Sequence, residues 1–114
     1  MNFFEVRDRL DHFMLGTDLP SMPVAWSLLR LLLEHTFYRG DMEGWVNRKV
    51  LGVHRLARLS GYGEKTIRRA LGDLEEAGFI VKHPRVEKGT RVPDDIWMEI
   101  LIVWYPAIKG QSDL

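Results

Sequence analysis

Apolar residues return every three or four positions along several stretches of this chain, the spacing of helices that bury one face. Phe3, Val6, Leu10, Phe13 and Met14 step through residues 1–16, with Asn2 placed to cap the first turn and Glu5 three residues on, so an amphipathic N-terminal helix ending near Gly16 is expected. A second helix is expected to open near Pro23, whose ring is tolerated in a first turn, and to run to about Tyr38 before Gly40. Its apolar residues, among them Val24, Ala25, Trp26, Leu28, Leu29, Leu32, Leu33 and Phe37, spread around more than one face, which predicts a central helix buried on two sides. Residues 45–51 could form a short strand. Residues 79–85 and 96–105, rich in β-branched and aromatic side chains, predict two longer strands, with Lys88-Gly89 as a turn tip in the segment between them.

The most informative run is residues 53–80. Leu56, Ala57 and Leu59 give a short helix one apolar side, and Gly61-Tyr62-Gly63 breaks it with two residues able to take positive φ. Ile67, Ala70, Leu71, Leu74 and Gly78 then recur at helical spacing. Two helices joined by a tight glycine turn read as a helix-turn-helix, which can present its second helix to a DNA major groove. Leu56-Ala57, Gly61, Tyr62, Thr66-Ile67, Arg69, Leu71, Leu74, the helix end Glu75-Glu76-Ala77-Gly78 and Phe79-Ile80 together resemble the winged helix-turn-helix domains of bacterial transcription regulators and phage and plasmid replication proteins. The likeness covers about half the chain. Gly63 stands where that pattern usually has a capping serine, and Gly72 interrupts the second helix at a cost of roughly 1 kcal/mol relative to alanine. The resemblance implies an α+β, mainly helical fold, a winged helix-turn-helix with an extra N-terminal helix and a C-terminal strand. Residues 1–114 are then a single domain, with an N-terminal helix at 1–16, the helix-turn-helix at 53–78 and a wing hairpin at 79–105.

Composition narrows the classes. A chain of 114 residues, 46% apolar and 28% charged, is ordinary for one globular domain, which at this size buries roughly two-thirds of its unfolded surface. The absence of cysteine excludes disulfides, thiolate metal sites and cysteine nucleophiles and is compatible with a cytoplasmic compartment. The start lacks a basic segment followed by a long apolar one, and the apolar runs near residues 28–33 and 100–104 fall far short of the ~20 residues of a membrane helix. A protein neither secreted nor membrane-spanning is expected.

Net charge is zero, yet residues 48–91 hold eleven basic against five acidic side chains, a balance of +6, while the flanking residues 1–47 and 92–114 each stand at −3. The basic block coincides with the helix-turn-helix, which points to double-stranded DNA as partner. On a helical wheel Lys65 and Arg69 face outward, flanked by Thr66 and Arg68. Lys65 and Arg69 are the best base-edge candidates, because cations of this kind donate to guanine acceptors. Thr66 is a further base-reading candidate, and Arg68 could read bases or bind phosphate. Asp73, Glu75 and Glu76 would be repelled by phosphate, so only the first half of that helix should enter the groove. Gly72 could let the backbone approach DNA closely or be a tolerated defect. Arg55 and Arg58 on the first helix suit backbone phosphates or a solvated face. Lys82, Arg85, Lys88, Thr90 and Arg91 around the wing could reach backbone or minor groove, although charge on an exposed hairpin also serves solubility.

Other chemistry has little support. The run Gly61-Tyr62-Gly63-Glu64-Lys65-Thr66 resembles a phosphate loop only faintly, since Glu64 separates glycine from lysine and a helix precedes it. The four histidines show no paired ligand spacing, no nucleophile elbow is present, and Asp94-Asp95 fits a turn or strand start, so neither an enzyme nor a cofactor is expected. The leading expectation is a sequence-specific DNA-binding transcription regulator of bacterial, phage or plasmid origin. A replication-initiation role at origin repeats, working with replication machinery, and a winged helix that binds another protein are the alternatives. A homodimer is expected, because one module reads few bases; Phe3, Phe4, Leu10, Phe13 and Met14 are its candidate surface, unless the two termini pack on each other.

Overall fold

The computed structural model describes residues 22–99. Among them are three α-helices, α1 (Pro23–Glu34), α2 (Val53–Ser60) and α3 (Glu64–Glu76), followed by an antiparallel hairpin of β1 (Ile80–Glu87) and β2 (Thr90–Met98). This small α+β layout is compatible with the expected architecture. The N-terminal helix at 1–16, its dimer candidates Phe3, Phe4, Leu10, Phe13 and Met14, and residues 100–105 of the expected last strand lie outside the described residues.

α1 opens with Pro23 in its first turn and buries Ala25, Leu28, Leu29, Leu32 and Leu33. It packs against both α3 and α2, as a central helix should. It ends at Glu34 rather than near Tyr38, because the chain there leaves the helix to pair elsewhere. The Thr36 hydroxyl donates to the Leu32 carbonyl (2.6 Å), and the Phe37 amide then donates to the Trp45 carbonyl (3.0 Å). The strand expected at 45–51 is correspondingly shorter. Thr36 bridges Val46 and Trp45 bridges Trp97, with Val46 donating to the Ile96 carbonyl (2.9 Å), so these residues lie along the edge of β2. Asn47 then accepts the Lys49 amide and starts a single 3-10 turn, Arg48–Val50.

The glycine turn behaves as anticipated at one of its two glycines. Gly61 ends α2 at φ 83°, a left-handed conformation open to glycine, and its amide closes on the Ala57 carbonyl (2.9 Å). Gly63 instead sits extended before α3 and provides no side-chain cap. α3 buries Ile67, Ala70, Leu71 and Leu74, the apolar set its spacing predicted. Gly78, placed with that set from the sequence, is exposed; at φ 85° it donates to Glu75 while Phe79 donates to Leu74, the paired bonds of a Schellman helix end that turn the buried Phe79 into the core.

Pairing in the hairpin reaches closer to its turn than expected. Strands were anticipated at 79–85 and 96–105 with a loop between, but pairing runs from Ile80 opposite Met98 to Glu87 opposite Thr90. Lys88 (φ 50°) and Gly89 (φ 76°) form a two-residue connection whose twist matches the strands, so the polar residues beside it zip up regardless of their apolar content. Register shifts once, between His83 and Arg85, where Pro84, lacking an amide hydrogen, is accommodated in a bulge. Ile80, Ile96 and Met98 face the helices and join Leu28, Leu32, Leu56, Ile67 and Leu74 in one core.

Candidate nucleic-acid interface

The buried stripe of α3 fixes which of its residues face outward. Lys65, Thr66, Arg68, Arg69, Gly72 and Glu76 are exposed. Lys65 and Arg69 have no acidic side chain within ion-pair distance among the described residues; with Thr66 and Asp73 they line a groove of ≈ 330 Å³ against Val24 of α1. Arg68 differs. Its guanidinium lies 3.7 Å from Glu64, one turn earlier, and Glu64 is also 3.8 Å from His54 on α2. A cation so placed still points donors to solvent.

The acidic residues of α3 divide: Asp73 lies on the groove of Lys65 and Arg69, whereas Glu75 is turned toward β1. Glu75 accepts the Lys82 amide (3.3 Å) and lies 3.7 Å from the Lys82 ammonium, so β1 holds and neutralises that carboxylate. Glu76 stays exposed at the far end of the helix. The first two turns of α3 therefore hold two cations, Lys65 and Arg69, outside any ion pair among the described residues, with Asp73 at the groove's edge, and the last turn offers none.

The residues expected to bind phosphate separate into two groups. Arg58 on α2 and Lys88 at the hairpin tip are exposed and without an acidic partner among the described residues, and Thr90 is exposed beside Lys88. The others are engaged. Arg55 donates to the Arg48 and Lys49 carbonyls (3.4 and 3.1 Å), tying α2 to the turn before it. Lys82 is held by Glu75. Arg91 reaches toward Asp94 (3.6 Å) but keeps its side chain 78% exposed. Arg85 is the extreme case, only 19% exposed, bonded to Glu87 (2.8 Å) and 3.5 Å from Asp95.

Two features went unread in the sequence. Arg48, counted in the basic block without a role, makes a bidentate pair with Asp95 (3.1 Å for both bonds), and Asp95 also approaches Arg85. One carboxylate thus joins the turn before α2 to both strands of the hairpin and sets the hairpin beside the helices. No local signal could have shown this, since the partners stand 47 residues apart. Lys49 shares an exposed cleft of ≈ 410 Å³ with Arg55, Arg58 and Leu59, extending the basic face of α2. Among the described residues there is no group of three side chains able to hold a metal ion and no helix long and apolar enough to cross a membrane.

No protein family, curated protein or solved structure matches the chain. Its function has to be read from this surface.

Proposed function

We propose that the protein is a winged helix-turn-helix that binds double-stranded DNA sequence-specifically and regulates transcription by occupying an operator. The carrying observation is the outer face of α3. Lys65, Thr66 and Arg69 stand exposed, with no acidic partner for the two cations among the described residues, on a helix whose opposite face is wholly packed. A helix held this way can be pushed into a major groove without unfolding anything, and its N-terminal half carries the donors that guanine acceptors require. The hairpin supports the same reading. Paired at one edge with residues 45–46, it packs against α3 through β1 and puts Arg91 on a cleft shared with Arg68, while Lys88 and Thr90 stand exposed at its tip. Arg58 and Lys49 supply phosphate contacts that set the register of α3.

Selection of bound sequences from a random duplex pool tests the proposal. Enrichment of one short motif, bound more tightly than the starting pool, is the expected result, and recovery of unenriched DNA would refute specific recognition. Footprinting the enriched motif then separates roles: occupancy at a promoter supports regulation, and occupancy of origin repeats assigns the protein to replication instead.

A further inference from the structure

Between α3 and the hairpin lies a cleft of ≈ 420 Å³, which DNA reading alone does not explain. Leu56, Leu71 and Ile96 form its floor, and Arg68, Lys82 and Arg91 stand around it. A concave apolar site with a few convergent polar groups is the ordinary form of a small-molecule site, and the volume falls within that range. Each of the three cations leans on an acid, Glu64, Glu75 and Asp94, at 3.6 to 3.7 Å, and none of these contacts is a hydrogen bond. The cations therefore keep unspent donors while the surrounding charge is nearly balanced. The Oδ1 atom of Asp94, on the same wall, is buried without a hydrogen-bond partner. That oxygen already faces the Arg91 guanidinium at 3.6 Å, so with three cations set against three carboxylates a multiply charged anion gains no net attraction, whereas a single carboxylate can take up the spare arginine donors.

From this we infer that the cleft binds a monoanionic organic acid with an apolar, aromatic-sized body, its carboxylate held by Arg68 and Arg91 and its body on the leucine and isoleucine floor. The site is also regulatory, a consequence that rests on the proposed DNA binding. Arg68 belongs to the base-reading face and Arg91 to the wing, so donors given to the acid are withdrawn from DNA, and by linkage DNA weakens the acid equally.

Naphthoate titrated into the full chain and followed by NMR tests the site. Saturable shifts at the Leu56, Leu71 and Ile96 methyls are expected, with the uncharged naphthalenemethanol binding about tenfold more weakly for want of charge-assisted hydrogen bonds. Inorganic phosphate should leave those methyls unmoved. Val92→Trp, which fills the cleft from β2, should abolish the shifts, and if that variant loses its spectral dispersion the exposed Arg91→Gln should weaken binding instead. No saturable shift at these methyls, or equal affinity for the alcohol, overturns the acid site. On a selected duplex, naphthoate should lower DNA affinity by about tenfold, a coupling of ordinary size. Cleft binding with unchanged DNA affinity overturns the regulatory half alone, whereas naphthoate binding by a protein with no DNA affinity leaves the site standing and overturns the DNA reading together with its regulation.

Discussion

Arg69 and Arg85 carry the same charge within one basic block and differ in their surroundings. Arg69 projects from α3 with no acidic side chain within ion-pair distance among the described residues, while Arg85 is held between Glu87 and Asp95. Only the first can be given to a ligand without breaking structure. Arg69→Ala and Lys65→Ala are each expected to cost about 1 to 3 kcal/mol on the preferred duplex and clearly less on random DNA, measured by fluorescence anisotropy. Equal losses on both DNAs would remove the base-reading role. Tyr38 supports a prediction of a different kind. Its hydroxyl donates to the Leu33 carbonyl, and burial, with a smaller contribution from Glu34, pushes its ionisation well above the usual phenol value of 10.0. The unfolded chain ionises at the ordinary value and the folded chain only at higher pH. Stability from this group is therefore fully present below pH 10.0 and declines as pH rises beyond it. Tyr38→Phe should flatten that alkaline decline in urea titrations while costing about 1 kcal/mol at neutral pH for the lost hydrogen bond. An unaltered alkaline slope would mean that Tyr38 does not couple to folding.

At the scale of elements, α3 depends on packing more than on its own helical tendency. It begins without a side-chain cap and carries a glycine at position 72, yet its buried face is continuous. An added Cβ at Gly72 would meet nothing within 4 Å, so the protein fold alone does not require glycine there. Gly72→Ala should therefore stabilise the protein by up to about 1 kcal/mol, read as a rise in the urea midpoint. The same variant separates the two meanings of this residue. If DNA affinity falls while stability rises, the backbone approaches DNA at Gly72; if affinity is unchanged, the glycine is a tolerated defect. A drop in stability would contradict the open surroundings seen at this position.

For the whole molecule, charge placement matters more than the net charge of zero. Ion pairs consume Arg48 and Arg85 in orienting the hairpin and leave Lys49, Arg58, Lys65, Arg69 and Lys88 without acidic partners among the described residues. Arg58→Ala and Lys88→Ala should weaken binding to all duplexes alike and each reduce the slope of log affinity against log salt by about one unit. Unchanged slopes would return both residues to the solvated surface. A homodimer would double the DNA surface read by this small unit, and we expect one to form through Phe3, Phe4, Leu10, Phe13 and Met14. Sedimentation at micromolar concentration should give twice the 13.3 kDa chain mass and revert to one chain when residues 1–15 are deleted. A monomer in both cases would leave binding to single units or to assembly on DNA.

Local rules were enough for much of this protein. The helical spacing of Ile67, Ala70, Leu71 and Leu74 was sufficient to place the inner face of α3, and thereby its outer face. Gly61 and the pair Lys88-Gly89 marked turns because the required backbone conformations are decided within two or three residues. Pairing over distance was not legible. The end of α1, the shortening of the strand at 45–46 and the length of the hairpin follow from backbone bonds between separated segments, which outweigh the propensity of any one of them. The status of each cation is tertiary as well. Arg48 and Asp95, or Glu75 and Lys82, meet only because the hairpin folds back beside the helices, and a sequence holds the charges without the distances that decide which ones remain available to a partner.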